Sequence, residues 1–145
     1  MEKYDGLKLD NQLCFPLYAA AREVVKLYRP HLDELNLTYT QYITMMVLWE
    51  SEKVCVKDLG AKLYLDSGTL TPVLKSLEAK GFVRRYRCEE DERMLIAELT
   101  AAGRALREKA IAVPQKMAAC VPLEPQDAMQ LYILLHKMLD NIRPE

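Results

Sequence analysis

A chain of 145 residues, half of them apolar and 28% charged, suits one soluble domain that buries about two-thirds of its unfolded surface, and excludes a disordered or low-complexity protein. The formal charge of −1 offers no overall attraction to a polyanion. Residues 53–88 nevertheless hold eight basic residues against three acidic ones, a local +5 that leaves −6 elsewhere, and such a basic middle points toward nucleic acid.

"MEKYDGLKLD" has no basic segment leading into an apolar run, and no stretch approaches the roughly 18 apolar residues that span a bilayer, so a cytoplasmic protein without membrane contact is expected. Cys14, Cys55, Cys88 and Cys120 form no CxxC pair, and two histidines complete no zinc spacing. No metal and no cofactor is expected, and the cysteines are thiols in a reducing compartment.

In chain order, a first helix is predicted from about Asp10 to Arg29, ended by Pro30. Cys14, Tyr18, Ala21, Val25, Tyr28 and Leu32 recur on one face at helical spacing. A cysteine on such a face reads either as a packed core thiol or as a functional one. Pro16 lacks the N–H that would bond the Gln12 carbonyl, so this helix either starts later or is distorted beside Cys14.

"LTYTQY" offers Thr38 as N-cap and Gln41 three residues on, a capping box, with Leu37 and Tyr42 as a hydrophobic staple for a helix to about Glu50. A short helix follows over Val56–Leu63. The next is capped by Asp66 or Ser67 and closed by Gly81, with Leu70, Val73, Leu74 and Leu77 inward. Its other face carries Ser67, Gly68, Thr69, Thr71, Pro72 and Lys75, which is small, polar and nearly free of acid. "FVRRYRC" and "RMLIAELT", joined by "EEDE", predict a two-stranded hairpin. Thr100 then caps a helix with the stripe Leu106, Ala110, Val113 and Met117, bent at Pro114, and a last helix runs from about Gln126 to Ile142.

The expected fold is mainly α with a small β-hairpin wing: a single domain over 1–145. A winged helix-turn-helix occupies about 53–99, and dimerisation helices lie at about 9–36 and 100–142. A two-fold dimer suits double-stranded DNA with a pseudo-palindromic operator. In that unit Ser67, Gly68 and Thr69 allow close approach to base edges, Thr71 presents a methyl to thymine, and Lys75 reaches phosphate or guanine. Pro72 shares their face, Arg84 leads into the wing, and Arg93 at its tip enters a narrow minor groove while Asp91 orients it.

"LDSGTLTPVLKSLEAKGFVRR" followed by "DERMLIAELTAAGRAL" resembles the recognition helix and wing of the MarR family of winged-helix regulators. With "NQLCFPLYAA" and "LTYTQYITMMVLWE" the chain is similar to one branch, the organic hydroperoxide resistance regulators (OhrR-type), over about Leu9 to Asn141. The resemblance implies a redox-sensing thiol at Cys14, with Tyr28 and Tyr39, reached across the dimer interface, as hydroxyl partners; Tyr18, on the same helical face as Cys14, is a further candidate. It assigns Asp91 and Arg93 to the wing pair and implies either a resolving cysteine near the C-terminal helices, for which the position of Cys120 makes it the first choice, or a small-molecule thiol. Cys88 in the wing strand and Cys55 before the short third helix read as structural, with Cys88 as a further redox route. The implied function is a DNA-binding repressor that organic hydroperoxides release by oxidising Cys14, derepressing peroxide-resistance genes.

The chemistry suits that position. A hydroperoxide is attacked by thiolate, and the first turn of a helix supplies unpaired N–H groups and the positive end of its dipole. Tyrosine hydroxyls add donors, and no lysine or arginine adjoins Cys14. The alternatives are a MarR-type regulator released by a non-covalent phenolic or other small ligand, and a thiol peroxidase. An enzyme is not expected, because the chain has no CxxC and no arginine beside Cys14 to bind peroxide.

Overall fold

A computed structural model describes residues 2–143. Two 3-10 turns, Asp5–Leu7 and Leu9–Asn11, precede the first helix, α1, which spans Cys14–Asp33. The expected start at Asp10 is therefore corrected. The Gln12 amide donates to the carbonyls of Gly6 and Lys8, and the Asn11 amide to that of Asp5, so local side-chain bonds hold this segment in turns. The later start also places Pro16. With Leu13 at the N-cap, Pro16 is the third residue of the helix, where the backbone N–H has no intrahelical partner in any case.

Pro30 does not end α1 either, because one further turn continues to Asp33. Leu32, 2% exposed, anchors that turn, and Leu35 and Leu37 follow it into the core. Burying such a side chain is worth about 1.5–3 kcal/mol, so a few together offset the ~3 kcal/mol cost of an interior proline. The α1 stripe is covered only at this end. Tyr28 is half-buried, whereas Cys14, Tyr18, Ala21 and Val25 are exposed.

Helix α2 (Tyr39–Ser51) opens on the expected capping box: the Gln41 N–H donates to Thr38 Oγ1 at 3.3 Å and the Thr38 N–H to Gln41 Oε1 at 3.0 Å. After Glu52, at φ +67°, the chain enters strand β1 (Lys53–Cys55) and then α3 (Val56–Leu63) and α4 (Ser67–Ala79). Asp66 Oδ1 caps α4 by accepting the Thr69 N–H at 2.8 Å. At the other end Gly81, at φ +83°, lets Phe82 N–H reach the Leu77 carbonyl at 3.0 Å and its own N–H reach that of Glu78, which closes the helix.

Strands β2 (Val83–Arg87) and β3 (Leu95–Leu99) form the expected hairpin, but the sheet has a third strand. β1 pairs antiparallel with the free edge of β3, Lys53 opposite Glu98 and Cys55 opposite Ile96, giving the order β1-β3-β2. Beyond it, the single helix expected after Thr100 is two, α5 (Ala101–Ala110) and α6 (Ala112–Cys120), interrupted at Ile111. Pro114, third in α6, has no N–H for the Ala110 carbonyl, so the ladder breaks there rather than bending. Leu106, Ala110, Val113 and Met117 stay in register across the break and enter the core.

Helix α7 (Pro125–Ile142), with proline in its first turn, buries none of its residues. The core lies between α2, α3, α4, the sheet, α5, α6 and the last turn of α1. No helix among the described residues is long and apolar enough to cross a membrane.

Candidate functional site

Two sets of side chains stand out, one facing away from α4 and the wing, the other along α1. Leu70, Leu74 and Leu77 fix the rotation of α4 by entering the core, and this leaves Ser67, Gly68, Thr69, Pro72 and Lys75 exposed. Thr71 is half-buried at the margin of that face. Pro72 deprives the Gly68 carbonyl of its in-helix donor, so this acceptor is also presented outward. The face offers hydroxyls, a carbonyl and one ammonium without a carboxylate of its own.

The wing tip is held by a short hydrogen-bonded loop. The Cys88 N–H donates to the Met94 carbonyl at 2.8 Å, and the Met94 N–H to that of Asp91 at 2.9 Å. Asp91 Oδ1 accepts from both the backbone N–H and Nε of Arg93, each at 3.1 Å, while the Arg93 side chain is 91% exposed. The guanidinium beside it holds the Asp91 carboxyl below the usual aspartate range. Asp91 thus aims a guanidinium that remains free to make further contacts.

Arg84 is placed differently. It sits opposite Glu98 in the sheet register, pairs with that carboxylate, and lies over the Tyr86 ring at 4.9 Å. Arg85 donates to Glu78 of α4 through both its side chain and its backbone N–H, each at 3.1 Å, tying wing to helix. Among these arginines, Arg93 projects furthest, a distinction that depends on Glu98 and Glu78 arriving from other elements.

Along α1, Cys14 is the first helical residue and is exposed, beside exposed Leu13, Phe15 and Leu17. Its neighbours at the helix N-terminus are backbone N–H groups without intrahelical acceptors. The Tyr28 and Tyr39 rings meet edge to face with centroids 4.9 Å apart. Tyr42 completes the cluster at 5.8 Å from Tyr28 and 6.4 Å from Tyr39. The staple spacing of Leu37 and Tyr42 does not reveal this aromatic role, which depends on how α1 crosses α2.

Burial pushes all three phenols above the usual tyrosine range; Tyr28 adds a coulombic push on Tyr39, and both add one on Tyr42. They are therefore hydroxyl donors at neutral pH. Within the chain they do not meet the thiol. Tyr28 lies 14 positions beyond Cys14, about 21 Å along the helix axis at 1.5 Å per residue. Tyr18, one turn from Cys14, is exposed, with the Arg22 guanidinium 5.5 Å from its ring centre. Cys120, the last residue of α6, is exposed, Cys55 and Cys88 are half-buried, and all four cysteines are free.

A family model for the transcriptional regulators SarA/Rot matches residues 26–110. The organic hydroperoxide resistance transcriptional regulator of Bacillus subtilis is 47% identical over 140 residues, covering 97% of this chain and 95% of the relative. The chain belongs to the MarR family of winged-helix transcriptional regulators, in the organic hydroperoxide resistance branch.

This MarR-family chain also matches solved structures of AbfR, a Staphylococcus epidermidis protein. Reduced AbfR bound to DNA is 34% identical, covers 97% of this chain and 98% of its own, and superposes with a TM-score of 0.78. Disulfide-formed AbfR is 35% identical with coverage of 97% and 96%, at a TM-score of 0.67. These relatives, like the fold, are those of DNA-binding regulators rather than enzymes.

Proposed function

We propose that this MarR-family regulator is a cytoplasmic homodimeric repressor whose operator affinity is controlled by oxidation of Cys14 with organic hydroperoxides. Residues of about 53–99 form the reading unit. Ser67, Gly68, Thr69, Thr71, Pro72 and Lys75 address the major groove, and Arg93, aimed by Asp91, the minor groove. Arg84, paired with Glu98 but still largely exposed, presents its guanidinium from the wing strand. The helices at 9–36 and 100–142 make the dimer, matching two reading units to a pseudo-palindromic site.

One observation carries the sensing assignment. An exposed thiol at the start of α1 and Tyr28, the half-buried α1 member of the phenol cluster about 21 Å further along the helix, are joined by an uncovered apolar face. A second copy laid antiparallel along that face brings the Tyr28 and Tyr39 hydroxyls of one protomer to Cys14 of the other. There they donate to the thiolate, and Tyr18 lines the same surface.

In the chemical step the thiolate attacks the outer peroxide oxygen, the O–O bond breaks, and the alkoxide takes a proton and leaves as alcohol. The sulfenic acid then condenses with a second thiol, releasing water and forming a disulfide. Cys120, exposed at the end of α6, is the candidate partner within the protein, with a small thiol as the other route. The greater likeness to reduced, DNA-bound AbfR than to its disulfide form supports reading the present conformation as the DNA-binding one.

A second reading has its own observation. A cavity of about 380 Å³ between α3, the start of α4 and the wing is lined by apolar Val56, Leu65 and Leu95 together with Lys57 and Arg93, which suits release by a small non-covalent ligand. Cys14 is not in its wall, so the two readings are separable. A duplex selected from random sequence by the reduced protein is titrated with wild type and Cys14→Ser before and after cumene hydroperoxide. Release of wild type alone is expected. Equal release of the serine variant would overturn thiol sensing.

A further inference from the structure

The first turn of α2 carries more than a cap. Gln41 is 6% exposed, and its amide is used at both ends. Its Oε1 accepts from the Thr38 N–H at 3.0 Å and from Lys80 Nζ at 2.8 Å, and its Nε2 donates to Ser76 Oγ at 2.9 Å. Lys80 Nζ also donates to the Asn36 carbonyl, in the turn before α2, at 2.6 Å. A capping box requires only the bond to Thr38, and a side chain facing solvent would supply it. Here the same amide reaches across to the far end of the recognition helix.

That end lies beside the closing Gly81 turn and away from the exposed reading face at Ser67–Lys75. The α2 first turn also carries Tyr39 and, one residue after Gln41, Tyr42, two members of the phenol cluster. One helical turn therefore holds Tyr39, one of the two hydroxyl donors assigned to the thiol, its neighbour Tyr42, which packs on Tyr28, and the polar anchor of α4. Leu70, Leu74 and Leu77 fix how deeply α4 sits, but apolar contacts are non-directional and tolerate small slides. The anchor is directional. Contacts of 2.8–2.9 Å cease to be hydrogen bonds after a shift of roughly 0.7 Å, and a buried amide left unpaired is costly.

We propose that Gln41 is the positioning residue coupling the phenol cluster to the recognition helix: displacement of Tyr39 and Tyr42 passes through its amide to Ser76 and Lys80 and moves α4 out of the register that reads DNA. The inference rests on the Cys14 sensing reading and adds the route by which it acts. Oxidation replaces a thiolate acceptor with a larger group facing Tyr39, the α2 first turn shifts, and the Gln41 bonds translate that shift into a rotation of α4.

The test uses the full-length dimer, the selected duplex and cumene hydroperoxide. Ser76→Ala and the pair Ser76→Ala/Lys80→Met remove the α4 side of the anchor while leaving the Thr38–Gln41 cap intact. Gln41→Glu keeps acceptors for Thr38, Lys80 and the Ser76 hydroxyl. For each, the rate of Cys14 thiol loss and the duplex Kd before and after oxidation are measured.

Wild type is expected to weaken within the roughly 5- to 150-fold span usual for coupled sites, the paired variant by about twofold or less at an unchanged rate of thiol loss, and Gln41→Glu as wild type does. Ser76→Ala alone falls between, which covers the case of an unstable pair. If the paired variant or Ser76→Ala keeps the full wild-type ratio, whatever its reduced-state affinity or melting temperature, Gln41 is a structural cross-link and the coupling is overturned. Failure of the sensing reading shows in wild type itself, as Cys14 oxidation without change in Kd or release without thiol loss, and removes the coupling with it.

Discussion

The reading unit and the terminal helices are built from similar apolar residues and differ in what covers them. Leu59, Leu70, Leu74, Leu77 and Ala97 are at most 1% exposed, whereas Tyr132, Ile133 and Leu134 of α7 are each more than half exposed, as is Tyr18 of α1. One chain thus completes the proposed reading unit and leaves the α1 surface that includes Cys14 open. Under the proposed sensing scheme a monomer cannot act, since within one chain Tyr28 lies about 21 Å from Cys14 along α1. In that scheme a two-fold dimer lets chemistry at one end of α1 reach both halves of an operator.

The contrast is broken most directly by placing the same kind of change in each region. Leu74→Ala is expected to lower stability by about 2–5 kcal/mol, with the urea midpoint falling at every protein concentration. Ile133→Asn with Leu134→Asn is expected to spare the fold and convert dimer to monomer, seen by light scattering, with duplex binding lost at low concentration and regained at high. A concentration-independent loss of stability from the α7 pair would show that this helix belongs to the core of one chain.

A smaller effect is expected where the two regions join. A Cβ at Gly103, in the first turn of α5, would lie 2.1 Å from the Phe82 carbonyl oxygen, and the Gly103 carbonyl accepts the Trp49 indole N–H at 2.9 Å. Gly103→Ala is expected to cost about 1–3 kcal/mol by forcing α5 away from β2, measured by denaturant unfolding. No loss would mean that the wing and α5 can part without penalty.

The smallest effect concerns acid. The Thr69 N–H bonded to Asp66 lowers the carboxyl below its ordinary value of 3.8, so the folded state binds the proton less readily than the unfolded one. Its contribution is therefore present above about pH 4 and lost as pH falls through the lower folded value. Far-UV circular dichroism of wild type is expected to be flat from pH 5 to 8 and to decline below about 4. Asp66→Asn, which caps without titrating, is expected to shift that decline to lower pH. An unchanged acid profile would show that the α4 cap adds nothing to the reading unit.

Features set within a few residues were legible before any fold was known. Thr38 with Gln41, a cap at Asp66 or Ser67, and Gly81 at the helix end are local hydrogen-bond or backbone requirements, so their placement announced α2 and both ends of α4. The outward set from Ser67 to Lys75 followed from the inward spacing of three leucines, and the Asp91–Arg93 pair from their separation by one residue. Elements needing a distant partner were misread. Strand β1 is three residues long and exists because β3 offers an edge; Pro30 is overridden by burial of Leu32; Pro16 is harmless only because side-chain amides at Asn11 and Gln12 delay the helix.

The sequence by itself determined the helices and hairpin of the winged helix-turn-helix, the outward face of α4 and, through the family resemblance of its motifs, the candidacy of Cys14, because helix periodicity, caps and motif residues act over one or two turns. The tertiary structure alone decided that Tyr42 joins Tyr28 and Tyr39, that Glu98 holds Arg84 while Arg93 stays free, and that Gln41 reaches Ser76 and Lys80. Each of those contacts joins separate elements. Their geometry depends on how whole helices and strands pack, which no spacing along the chain encodes.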